Sequence, residues 1–182
     1  MIDYPLLKTF DVDSSIVDFL NKKFHQYKFD HESDNLQTFF NNQNQTSGYQ
    51  TQNLLNWEDD EYQYFLDTSV LDIISSVLNI EKDRIWYWWT HMLEYSDGGF
   101  LGVHNHKHNE DFVVFIYLND CDDGETTFFL NDDCEEYRER TKIKILPRKN
   151  LGACFSSLVM HQGEITTSNK RIFVAGVRID LT

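Results

Sequence analysis

Apolar positions change their period part-way along the chain. Ile16, Leu20 and Phe24 recur at helical spacing with Val17 and Tyr27 beside them, and Ser15 with Asp18 resembles a capping box. This spacing predicts a helix from about Ser14 to Tyr27. From Thr68, read as an N-cap, Val70, Leu71, Ile74, Val77 and Leu78 form a second stripe that ends near Asn79. It predicts a second helix whose stripe packs a core. Between the two lies NNQNQTSGYQTQN, beginning at Asn41 and ending at Asn53, with almost nothing to bury. That segment reads as a surface loop, with a lid over an opening as its functional alternative.

After Arg84 the helical period disappears. Arg84 to Tyr95 (RIWYWWTHMLEY) is aromatic and β-branched, which predicts a long strand. Further strands are predicted at Phe112–Leu118, Glu125–Leu130, Ile143–Leu146, Ala153–Met160 and Arg171–Ile179. Turn signals separate them: Ser96-Asp97-Gly98-Gly99, Asp122-Asp123-Gly124, Pro147 with Gly152, and Ser168-Asn169. Short strands punctuated in this way point to a mostly β fold, an antiparallel barrel or sandwich with helices packed outside it. No internal repeat or linker divides the chain. The expectation is one domain over 1–182, with 1–83 as a helical, loop-rich support and 84–182 as the barrel core. Trp86, Trp88 and Trp89 are expected to pack the barrel core and sheet face, with the lining of a substrate groove as the alternative.

Composition narrows the function classes. The 182 residues, 41% of them hydrophobic, can bury a sizeable core. Sixteen Lys and Arg against thirty Asp and Glu give a formal charge of −14, with seven His counted as neutral. That balance argues against nucleic acid, whose phosphates are met by clustered basic side chains, and against docking on an anionic membrane surface. The longest apolar run, Phe112 to Leu118, is far short of the roughly 20 residues of a membrane helix. The first residues lack the pattern of a secretory signal. Cys121, Cys134 and Cys154 are odd in number and lack C-x-x-C spacing, which argues against a disulfide framework or a cysteine zinc site. An intracellular, cytoplasmic setting is expected.

The histidines carry the candidate chemistry. In an extended segment residues two apart point the same way, so His104 and His106 of VHNHKHNE can aim at one point. His161, after a predicted strand, can supply a third ligand. Imidazole suits Fe, Zn, Cu and Ni alike, so the spacing does not choose the metal. His108, beside Lys107, reads as an exposed side chain. His91 reads as a core or barrel-lining residue.

The surrounding pattern is more specific. Tyr95, Gly98, Gly99 and His104 resemble the Y-x-x-G-G-x(4)-H segment of the Fe(II)/2-oxoglutarate-dependent dioxygenases, in their prolyl-4-hydroxylase-like branch. Tyr117-Leu118-Asn119 is similar to that family's Y-L-N strand, and Gly124-Glu125-Thr126-Thr127-Phe128 to its G-G-E-T-x-F segment. Pro147 with Gly152, then His161, then Arg171, resembles its P-x-x-G … H … R ending. The resemblance covers about half the chain, residues 85 to 179, and implies a double-stranded β-helix, a jelly-roll or cupin-like barrel open at one end. It implies that His104 and His161 ligate Fe(II), that Arg171 pairs with the distal carboxylate of 2-oxoglutarate, that Tyr117 assists there, and that Tyr95 lines the pocket. Gly98, Gly99, Gly124 and Gly152 serve backbone geometry. The implied reaction consumes 2-oxoglutarate and O₂, releases succinate and CO₂, and hydroxylates a peptidyl proline, another protein side chain or a small molecule, with ascorbate as a supporting reductant.

The chain departs from the family at one position. The family has H-x-D, whereas residue 106 is His. With His106 in the acidic ligand's place the face becomes three neutral imidazoles, and a divalent metal keeps its full charge. Two alternatives follow. Gly98-x(5)-His104-x-His106-x(3)-Glu110 also resembles the first cupin motif, which implies Glu110 as a fourth ligand in a three-histidine metalloenzyme that does not use 2-oxoglutarate. A non-catalytic metal- or ligand-binding β-helix module, disabled by His106, is the other.

Overall fold

The computed structural model describes residues 7–31, 48–96, 98–107, 110–130 and 141–180. Helix α1 (Ser14–Asp30) is capped by Asp13, whose carboxylate accepts from the Ser15 amide, so it starts one side chain earlier than the capping box implied. Its buried face is the predicted stripe of Val17, Leu20, Phe24 and Tyr27. Lys23 shares that face, 2% exposed, with its ammonium 2.7 Å from both Asp59 and Glu61. The second helical region begins well before Thr68. Asp59 caps α2 (Asp60–Phe65), a π-helical turn spans Leu66–Val70, and α3 (Leu71–Leu78) ends at Asn79 in the left-handed region. The Thr68 hydroxyl donates to the Tyr64 carbonyl one turn back, so this threonine satisfies itself inside the helix instead of capping it.

Among the described residues ten strands form two antiparallel sheets. They are β1 (Leu7–Asp11), β2 (Tyr49–Gln50), β3 (Ile85–Tyr95), β4 (Gly99–His104), β5 (Phe112–Tyr117), β6 (Thr126–Phe129), β7 (Lys142–Ile145), β8 (Leu151–Ser156), β9 (Met160–Thr166) and β10 (Lys170–Ile179). The larger sheet runs β1-β8-β5-β10-β3-β2, and the smaller runs β4-β9-β6-β7. The N-terminal half is therefore more than helix and loop, since it supplies β1 and β2. The expected single strand Ala153–Met160 is two strands, β8 and β9, divided by a turn in which the Val159 amide donates to Ser156.

The centre of the larger sheet is buried on both faces, which explains why β5 reads as an unbroken apolar run. Phe112, Val114 and Ile116 of β5 pack with Phe173, Ala175 and Val177 of β10 against the helices. Val113, Phe115 and Tyr117 of β5 and Ile172 of β10 face the space between the sheets, with Phe128, Phe155 and Tyr95. A register shift between Gly176 and Val177 leaves Trp88 without a partner on β10. Trp89 then turns inward across Gly176, where an added Cβ would lie 2.5 Å from the indole. Trp86 and Trp88 do not pack in the core as expected: they are 44% and 45% exposed. The free cysteines Cys121 and Cys154 are buried, while Cys134, His108 and most of the polar segment from Asn41 lie outside the described residues. Among the described residues no helix is long and apolar enough to cross a membrane.

Candidate metal centre

Strand pairing assembles the histidines. His104, the last residue of β4, is paired with His161 near the start of β9, and His161 is also opposite Phe128 of β6. The chain then leaves β4, and the His106 amide donates to the Ser157 carbonyl in the turn between β8 and β9. Side-chain donor atoms of His104, His106 and His161 all lie within 4.8 Å of one another. Phe155 and Phe128 wall the His161 ring at 4.6 and 6.0 Å, and Trp89 lies 5.6 Å from the His106 ring.

The other ring nitrogens are occupied. Nδ1 of His104 is 2.8 Å from the Gly102 carbonyl, Nδ1 of His161 is 3.1 Å from the Val159 carbonyl, and Nδ1 of His106 is 2.8 Å from a Glu110 carboxylate oxygen. For His104 and His161, an N–H held at Nδ1 by a backbone carbonyl leaves the lone pair on Nε2, the tautomer a metal needs. Burial, then the neighbouring His106, lowers the His104 pKa to about 4, against the opposing Gly102 hydrogen bond. Burial drives His161 well below the ordinary imidazole range, reinforced by the other two rings. Both rings are neutral at neutral pH and ready to bind a cation without first losing a proton. The donor set fits a divalent metal held on one face.

His91, half-buried, stays outside this group. Its Nδ1 is 3.1 Å from the Thr51 carbonyl and its ring is 5.3 Å from Trp89, so it lines the barrel. Glu110, the fourth ligand of the cupin alternative, stands at the Nδ1 edge of His106 and does not join the donor atoms.

The alternation of β10 puts Arg171 on the helix side of the sheet. Arg171 shares its parity with Phe173 and Ala175, the helix-facing residues. Its guanidinium donates to Asn21 Oδ1 at 2.9 Å and lies 3.1 Å from His25 Nε2, both on α1. The cation on the inner face is its neighbour Lys170, paired across the sheet with Tyr95 and 1% exposed. Its ammonium donates to the Gly124 carbonyl at 2.7 Å and sits 4.7 Å over the Tyr95 ring. Burial lowers the Lys170 pKa to about 8, opposed by Cys121, Asp123, Glu125 and Glu164. Tyr117 lies buried between the sheets. Its hydroxyl is 2.6 Å from Thr126 Oγ1 and donates to the Ile145 carbonyl, so the phenol is already committed to the barrel wall.

No protein-family model and no curated protein matches the sequence. Solved structures do match. A prolyl-4-hydroxylase from Pseudomonas putida superposes with a TM-score of 0.69 at 13% identity, over 98% of this chain and 94% of that one. The chain has the double-stranded β-helix fold of the 2-oxoglutarate/Fe(II) oxygenases. A prolyl hydroxylase from Trichoplax adhaerens, solved with a hypoxia inducible factor peptide, matches with a TM-score of 0.69 at 15% identity, over 96% of this chain and 84% of that one. The non-heme alpha ketoglutarate dependent epimerase SnoN of nogalamycin biosynthesis matches with a TM-score of 0.73 at 10% identity, over 97% and 79%. Within the β-helix, β4 and β9 bring the three histidines to one end of the smaller sheet, and Lys170 lies against β9 at Gly163.

Proposed function

We propose that the protein is an Fe(II)- and 2-oxoglutarate-dependent oxygenase that hydroxylates a peptide or small-molecule substrate, a peptidyl proline being the first candidate. The observation that carries this reading is the convergence of three imidazoles, two of them tied to backbone carbonyls at Nδ1, with the buried ammonium of Lys170 in the same barrel interior. His104, His106 and His161 would hold the iron through Nε2. Bound iron would supply the chelation of 2-oxoglutarate and the activation of O₂.

The chain's own residues do the rest. Lys170 offers the distal carboxylate of 2-oxoglutarate an ammonium in a site sheltered from water, where the attraction is less screened than at the surface. Its hydrogen bond to Gly124 and its place over Tyr95 hold that charge at one position. Tyr95, Ile172 and the Tyr117–Thr126 hydroxyl pair are buried in one cluster and would exclude water from that carboxylate. A metal and Lys170 together would make a cationic pocket inside a chain of net charge −14, which suits a dianionic co-substrate. Trp89 and His91 wall the approach to the histidines on the substrate side.

The test is oxygen consumption by the iron-loaded protein with 2-oxoglutarate and a panel of proline-containing peptides. Stoichiometric succinate and 2-oxoglutarate-dependent O₂ uptake are expected, with the uptake faster in the presence of the true substrate. An iron-loaded protein that consumes no 2-oxoglutarate overturns the reading.

A further inference from the structure

The three-histidine face lacks the negative charge of the usual two-histidine, one-carboxylate arrangement. A carboxylate is nevertheless present one residue deeper. Glu110 precedes β5, its side chain is wholly buried, and Oε1 sits 2.8 Å from Nδ1 of His106. Among the described residues neither carboxylate oxygen has an aligned hydrogen-bond partner. Burying a charged carboxylate without full compensation is strongly unfavourable, so a group in this state is one whose balancing charge has yet to arrive.

Resting on the metal site of the proposed function, we infer that Glu110 is the positioning carboxylate of the metal centre: acting through His106, it restores from outside the ligand shell the charge that a directly bound Asp would contribute. Three neutral imidazoles and one carboxylate offset a divalent cation by one unit, the same sum as two imidazoles and a bound acid. The carboxylate also sets the His106 tautomer and makes its Nε2 a better donor, as carboxylates behind metal-bound histidines do. The backbone keeps Glu110 at this distance. The Asp111 amide donates to Val177, and the Asp111 carbonyl accepts from Ser157, the residue whose own carbonyl holds the His106 amide. Glu110 and His106 are thus anchored to the same turn. The His-for-Asp replacement at 106 and the acid at 110 form one device.

The test is Co(II) binding by calorimetry at pH 8, where imidazole is neutral, on the full chain as wild type, Glu110→Gln, His106→Asp and the double variant. Glu110→Gln is expected to weaken Co(II) binding about 10- to 100-fold in the wild-type background. In the His106→Asp background the same change is expected to cost nothing, because the charge is then in the ligand shell. Melting curves separate this role from simple packing. The metal-free Glu110→Gln protein should melt no lower than wild type, and only the Co(II)-loaded protein should be weakened. Equal Co(II) affinity in wild type and Glu110→Gln overturns the inference, as does an equal loss in both backgrounds or a drop in melting temperature that ignores the metal. Co(II) binding that follows the predicted pattern in a protein that does not turn over 2-oxoglutarate leaves Glu110 in its role and overturns only the proposed reaction. A wild type that binds no Co(II) overturns both.

Discussion

At the centre of the larger sheet the two faces are built from the same strands and are both buried, yet they differ in kind. Phe173, Ala175 and Val177 of β10 pack in a mostly apolar layer with the helices and with Phe112, Val114 and Ile116 of β5. One residue out of phase, the inner face carries Lys170 as well as Ile172, opposite Tyr95 on β3 and near Tyr117 on β5. The outer face stabilises the fold by burying hydrocarbon. The inner face gives up part of that stabilisation to hold a cation, two phenols and, from the smaller sheet, three imidazoles. Stability and chemistry are separated by the two-residue period of a strand.

That separation can be broken from either side. His161→Ala is expected to have the largest functional effect. Metal binding by calorimetry and 2-oxoglutarate turnover should fall below detection, while the far-ultraviolet circular dichroism stays that of wild type. Phe173→Ala on the outer face should do the reverse, losing about 3–5 kcal/mol in urea unfolding with metal affinity retained in whatever protein remains folded. Lys170→Ala should raise the KM for 2-oxoglutarate by at least about tenfold, in line with the loss of a charge-assisted hydrogen bond of about 1.5–3 kcal/mol, and Lys170→Arg should recover part of it. Arg171→Ala is the matched control. It removes contacts to Asn21 and His25 on α1, so stability should drop by about 1 kcal/mol with the KM for 2-oxoglutarate unchanged.

Titration sharpens the same contrast. The folded-state pKa of His104 is lowered to about 4 from 6.5, so the unfolded chain takes up its proton first as pH falls. The metal-free protein should therefore lose stability between about pH 6.5 and pH 4, and thermal melts across that window should show the loss. For Lys170 the pKa is lowered to about 8 from 10.5, and the useful ammonium is lost as pH rises. The KM for 2-oxoglutarate should climb above about pH 8, and Lys170→Arg should remove that climb.

Much of this was legible in the sequence, for reasons that also mark where legibility stops. The stripes of α1 and α3, the long aromatic β3 and the apolar β5 declare themselves because each has one dominant environment. Strands β4 and β9 do not. Gly99–His104 breaks its apolar residues with two glycines and a histidine, and Met160–Thr166 mixes glycine, histidine and polar residues, so neither shows a clean period. The three histidines were found by spacing and by their place in the motif series. The sequence does not tell which of Lys170 and Arg171 looks inward, because the residues from Ile172 to Val177 are apolar or small on both faces, which leaves the parity of the strand unreadable. Only the pairing of Lys170 with Tyr95 decides between the two adjacent cations. Glu110 could be seen four residues after His106, but the spacing does not reveal which ring nitrogen it approaches.

The most direct measurement is an anaerobic titration of the Fe(II)-loaded protein with 2-oxoglutarate, followed by visible absorption. The account predicts a weak charge-transfer band that saturates in wild type and in Arg171→Ala at the same concentration, and that needs far more 2-oxoglutarate in Lys170→Ala. A protein that binds Fe(II) but develops no such band, or one in which Arg171→Ala and Lys170→Ala shift the titration equally, would contradict it.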